Sequence, residues 1–153
     1  MTTSNSTSSY QQKSMGDTAV DGLLAGLVGG VAMALFMVVI SWLTGIPPQT
    51  MLAYFDPAKT GGWLTGLLAH LSVSAIYGVV FGLLMAGLGW LRPSLLSWQW
   101  LWGVGYGLLL WLLGLGVVLT AVASPLDQIP TWEFVLAHLL YGLVVGYRLQ
   151  TSY

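Results

Sequence analysis

The chain has two histidines, and both sit in the same phrase: Leu68-Ala69-His70-Leu71 and Leu136-Ala137-His138-Leu139. A second shared phrase follows each: Tyr77-Gly78-Val79-Val80-Phe81-Gly82 after the first and Tyr141-Gly142-Leu143-Val144-Val145-Gly146 after the second. The spacing from His to Tyr is four residues shorter in the second copy, close to one helical turn, so the tyrosine shares the histidine face in both. Two imidazoles at matched depth on non-adjacent helices have the geometry to ligate a haem from both sides. One of them could instead hold the magnesium of a chlorophyll, or contact a quinone or a proton. The plainer chemistry is a hydrogen bond across helices to Tyr77, Tyr141 or Ser74, with the histidines as polar glue. The expectation is the plainer one, with no metal and no cofactor. Ligating histidines have their second ring nitrogen held by a partner. Here only hydroxyls and helix carbonyls stand near, and Lys59 alone stands on that side to meet haem propionates.

Nothing else assembles a reaction. The absence of cysteine excludes disulfides, thiolate metal sites and a cysteine nucleophile. The five Asp and Glu stand at the ends of apolar stretches, so no serine–histidine–acid set forms. Pumps and secondary transporters depend on intramembrane charges, and none falls deep in an apolar stretch here, which leaves a small transporter as a third reading. The chain is expected not to be an enzyme. A net charge of −1 with four Lys and Arg excludes a nucleic-acid partner.

The elements that carry the histidines are apolar helices. The chain of 153 residues is 56% hydrophobic and 6% charged, with a mean hydropathy of +0.80, whereas soluble domains carry about 25% charged residues. Lipid is its expected solvent. The organising stretch runs from Gly62 to Trp90, where every fourth residue is small or is the histidine: Gly62, Gly66, His70, Ser74, Gly78, Gly82 and Ala86. Small residues at this spacing let helix backbones approach closely in a bilayer. Gly22, Gly26, Gly30 and Ala34 make a second stripe, and His138, Gly142 and Gly146 a third. These are more stripes than one four-helix bundle needs.

The pattern predicts an all-α membrane protein of four transmembrane helices, about 19–43, 62–90, 98–123 and 132–149, forming one domain over 18–149. Its two hairpins would form a parallel repeat about an axis along the membrane normal. Residues 1–17 read as a polar tail that is disordered by composition and is not a signal peptide. Thr18 with Asp21, Ser97 and Thr131 are the expected helix starts, and Met51 to Phe55 a short surface turn. Ser41, Ser72 and Thr120 are expected to bond back to their own helices. Trp42, Trp63, Trp90, Trp98, Trp100, Trp102, Trp132 and Tyr147 collect at the predicted ends, as in an interfacial aromatic belt. Lys13, Arg92 and Arg148 fall at one end and Lys59 at the other, which puts both termini in the cytoplasm.

The run from His138 to Gly146 resembles the last helix of small four-span bacterial inner-membrane proteins of the YagU-like kind. The Ser/Thr-rich start and Trp-dense spans are similar in composition to minor subunits of respiratory or photosynthetic complexes such as alternative complex III. Neither likeness carries a catalytic residue to this chain. Together they imply a non-catalytic accessory subunit in the bacterial inner membrane. Its partners would be lipids and other integral subunits of an electron-transfer or energy-transducing complex. A tetrapyrrole protein using His70 and His138 is the alternative.

Overall fold

The computed structural model describes residues 13–118 and 125–151, which are all-helical. Helix α1 (Met15–Leu43) begins earlier than Thr18, because Ser14 and Asp17 form a capping box. The Ser14 hydroxyl accepts from the Asp17 N–H at 3.1 Å, and the Asp17 carboxylate accepts from the Ser14 N–H at 3.2 Å. Asp21, expected in that cap, instead pairs with Lys13. Residues 15–17 therefore belong to the helix, and residues 1–12 of the expected tail lie outside the described residues.

A short helix, α2 (Pro48–Ala53), precedes α3 (Trp63–Leu91). A 3-10 turn over Pro93–Trp98 then leads into α4 (Gln99–Leu113). Ser97 does not cap α4. It lies in the 3-10 turn and its hydroxyl donates to the Ser94 carbonyl at 2.9 Å. α4 widens into a π turn over Gly114–Val118, and the expected continuation to Ala123, with Thr120, lies outside the described residues. The last helix, α5, spans Thr131–Gln150. Pro130 holds its N-cap position, so Thr131 is its first residue rather than its cap. Ser41 and Ser72 bond back to the carbonyls of Val38 and Leu68. α1 and α3, each of 29 residues, are long and apolar enough to cross a membrane.

Glycine sets which helices touch. A Cβ on Gly22 would lie 2.7 Å from the Gly78 carbonyl oxygen, and one on Gly78 would lie 2.5 Å from the Gly26 Cα. One on Gly26 would meet the Ser74 carbonyl. α1 and α3 thus cross backbone to backbone, antiparallel. α4 and α5 repeat the crossing: Gly103 faces Gly142 and Gly146, and Gly107 faces the His138 carbonyl. Gly30 packs on the Ser74 side chain, and Gly66 lies under α2 against the Leu52 carbonyl. The small stripes are buried inside this one chain, which corrects the expectation of stripes left over for a partner. Gly62, Ala86 and His138 among them are only half-buried. Gly103 and Gly107 were not singled out in the sequence.

The two crossings match contact by contact. Ser74, Gly78 and Gly82 stand where His138, Gly142 and Gly146 stand, and Thr18, Gly22 and Gly26 where Gln99, Gly103 and Gly107 stand. In this register Tyr77 falls on Tyr141, but His70 falls on Phe134. The histidines are therefore one turn out of register in the repeat, although each stands seven residues after the first residue of its helix. The shared phrase around each histidine is out of register with the crossing beneath it.

The match fails at the other seams. α1 packs along α5, with Gly29 set under Val145 and Tyr141, but the corresponding pair, α3 and α4, scarcely touch. The bundle is an open row in the order α3, α1, α5, α4. Its outer members meet through Tyr106, whose hydroxyl donates to the Tyr77 carbonyl at 3.0 Å and whose ring lies 5.0 Å from that of Phe81. Toward the end remote from the termini they part.

Candidate functional site

The parting leaves a cleft of about 310 Å³ between α3 and α4, floored by α1 and α5. His70, Val73, Ser74 and Tyr77 line it from α3, and Leu110 and Gly114 from α4 and its π turn. Met33 of α1 and Phe134, His138 and Tyr141 of α5 form the floor, while Phe55, Pro57 and Leu126 reach over it from the loops. The structure thus brings both sequence-predicted histidines to one cavity. π turns recur at functional sites because they re-aim the residues around them, and here Gly114 lies between α4 and the Phe134 ring.

Each imidazole is fixed by one N–H. His70 Nε2 lies 3.0 Å from the Gly30 carbonyl oxygen, and His138 Nδ1 lies 2.8 Å from that of Phe134. A carbonyl only accepts, so both nitrogens carry the proton and the other nitrogen of each ring has a lone pair. The partners differ from the expected hydroxyls. Tyr141 donates instead to the Ser74 carbonyl at 2.6 Å, tying α5 to α3. His70 is interhelical glue, whereas His138 bonds within its own helix. Both rings are also packed by phenylalanine: Phe55 on His70 at 4.8 Å and Phe134 edge-on to His138 at 4.5 Å. Helix carbonyls, named with hydroxyls as the partners within reach, hold both rings.

The loop above the cleft is organised by Asp56, which is 3% exposed. Its carboxylate accepts from the Thr60 hydroxyl at 2.7 Å and from the backbone N–H groups of Ala58, Thr60 and Gly62 at 3.1, 2.9 and 3.2 Å. This clamp holds Lys59 at a φ of 55°, a left-handed conformation unfavourable for a residue with a side chain. The Thr60 hydroxyl, followed by the loop amides, holds the Asp56 carboxyl below its usual range. A depressed carboxylate stabilises the fold above its ordinary pKa, and that contribution disappears as pH falls through the lowered value. The loop should therefore be indifferent to pH between 8 and 5 and loosen only below about pH 4, measured by hydrogen exchange at the Thr60 amide. Asp56→Ala should loosen it at neutral pH, raising tryptic cleavage after Lys59 at least tenfold. Unchanged cleavage would mean that the clamp does not hold the loop.

Comparison with family models, with curated proteins and with solved structures finds no match. The cleft alone carries the functional argument. Among the described residues, no carboxylate, lysine or arginine lines it, and no group of three or more His, Asp or Glu could hold a metal ion. A second polar feature stands at the opposite end. Gln99 is fully buried, and neither its amide nitrogen nor its oxygen has a partner among the described residues. Sequence reasoning passed over Gln99, which is a single polar residue at the start of a Trp-rich helix.

Proposed function

We propose that the chain is a four-span integral membrane protein that works by binding, not catalysis, and that its guest is a lipid-soluble ring compound held in the α3–α4 cleft. The observation that carries this reading is the placement of both histidines, each with an unprotonated nitrogen, in one apolar cavity. Ligand sites are mostly apolar clefts with a few placed polar groups, from about 300 Å³ upward, and this cleft fits that description. α4 with its π turn adds up to the roughly 20 residues a span requires, and α5 has 20. The aromatic belt supports the same membrane placement: Trp42 is 71% and Trp90 84% exposed, at opposite ends. With Lys13, Arg92 and Arg148 at one end, both termini face the cytoplasm of a bacterial inner membrane.

Size bounds the guest. A cavity of about 150 Å³ holds benzene, so this cleft has room for about two such rings. An accessory role beside other integral membrane subunits is supported by the apolar faces that the bundle leaves outward, such as Leu35 on α1 and Ile76 on α3.

Naphthalene, which has two rings and no hydrogen-bonding group, should bind the protein in nanodiscs saturably in equilibrium dialysis, with empty nanodiscs subtracted. Ala69→Trp, which fills the cleft from α3, should reduce that binding at least tenfold. Equal uptake by both proteins would show that the ring dissolves in lipid and that the cleft is no site.

A further inference from the structure

We propose that the cleft selects its guest by hydrogen-bond polarity: it takes rings that carry hydroxyl donors, of the dihydroxybenzene (quinol) class, in preference to the corresponding carbonyl (quinone) forms. This rests on the binding reading above and adds the chemistry of recognition. The argument begins with the committed protons. His70 spends its N–H on the Gly30 carbonyl and His138 on that of Phe134, so what each ring has left is an acceptor. The strongest donors nearby are committed elsewhere, Tyr141 to the Ser74 carbonyl and Tyr106 to the Tyr77 carbonyl. Ser74 and Tyr77 also line the cleft. Their hydroxyls rotate to donate or accept as a guest requires, and so do not discriminate.

A ring hydroxyl can donate to either imidazole nitrogen and satisfy it. A quinone carbonyl facing the same nitrogen sets acceptor against acceptor, and desolvates both without a bond. Neither imidazole turns easily to present its N–H instead. For His70 that would break the interhelical bond to Gly30 and disturb the contact with Phe55. For His138 it would free the Phe134 carbonyl beneath an edge-packed ring. The flat walls formed by Phe55, Phe134 and Tyr141 suit a ring rather than a flexible alcohol. No electron is transferred in this proposal: the site distinguishes the two oxidation states by the protons they carry.

The test is anaerobic equilibrium dialysis of the protein in nanodiscs against three probes of one ring: 2,3,5-trimethylhydroquinone, its quinone, and its dimethyl ether. The hydroquinone should bind at least tenfold more tightly than the other two. His138→Leu should remove most of that preference, read as the ratio of hydroquinone to ether affinity within the same variant. His70→Leu should do the same, but it also loses the bond to α1. His138, bonded only within α5, is therefore the deciding variant. Equal affinity for hydroquinone and ether, with naphthalene still bound, overturns the polarity inference and leaves the cleft as a site. Preference retained in His138→Leu and His70→Leu overturns it as well. Failure of every ring, naphthalene included, overturns the binding reading itself.

Discussion

Gly78→Leu should leave almost no folded protein to purify. A Cβ at this position would stand 2.5 Å from the Gly26 Cα and 2.6 Å from its nitrogen, and would also strike the Gly22 carbonyl. All three are backbone atoms, so no side chain can rotate away and the two helices must separate. Overpacking costs about 1–3 kcal/mol where side chains can adjust, and here the whole crossing of α1 and α3 is at stake. In a bilayer that crossing depends on close packing, since lipid supplies no hydrophobic drive between helices. Gly82→Leu should be less severe, because its Cβ would come no nearer than 3.2 Å to any atom. Gly87, with nothing within 4 Å, should accept leucine with little effect. The readout is the monodisperse fraction after mild-detergent purification, ordered Gly87→Leu, Gly82→Leu, Gly78→Leu from highest to lowest. Similar recovery of all three would mean that α3 does not meet α1 along this ridge.

Gly66→Leu should damage the cleft while sparing the crossing. Gly66 lies on the same face of α3, but its neighbours are the Leu52 carbonyl and, at 3.1 Å, the Asp56 nitrogen. A side chain there pushes α2 and the loop after it away from α3. Phe55 then leaves His70 and Pro57 leaves the mouth, so the cleft loses its cover. Naphthalene affinity should fall at least tenfold, with tryptic cleavage after Lys59 rising in parallel and recovery of the protein near normal. Ala69→Trp should lose binding without the increase in cleavage, which separates an uncovered cleft from a filled one. Normal affinity in Gly66→Leu would mean that the loop contributes nothing to the site.

What the sequence made legible was whatever repeats with a period. The four-residue spacing of glycine in α1, α3 and α5 marks the faces that touch, and the apolar runs mark the helices. The pair Gly103 and Gly107 escaped notice because only two members of that stripe exist. The shared phrase around each histidine suggested a repeat aligned on the imidazole. The structure aligns the hairpins on the Tyr-Gly pair, and the histidines slip by a turn. The gap between α3 and α4 was not legible at all. It depends on how side chains along one seam fail to fill the space that their counterparts along the α1–α5 seam do fill. The hydrogen-bond partners of His70 and His138 were hidden for a simpler reason: every residue has a carbonyl, so no residue type announces the acceptor.

That last feature bears on how this chain tolerates change over generations. His70, Tyr106 and Tyr141 each send a side-chain donor to a main-chain oxygen on another helix, at Gly30, Tyr77 and Ser74. The oxygen survives any replacement at the accepting position that keeps the helix, whereas the donor does not survive its own replacement. Each tie is thus encoded at one locus instead of two. Drift at residue 77 needs no compensating change at residue 106, and the two columns of an alignment would carry no shared signal. Contacts that hold the cleft together would be invisible to methods that find neighbours by correlated substitution, while the glycine crossings, where size on one helix limits size on the other, would stand out.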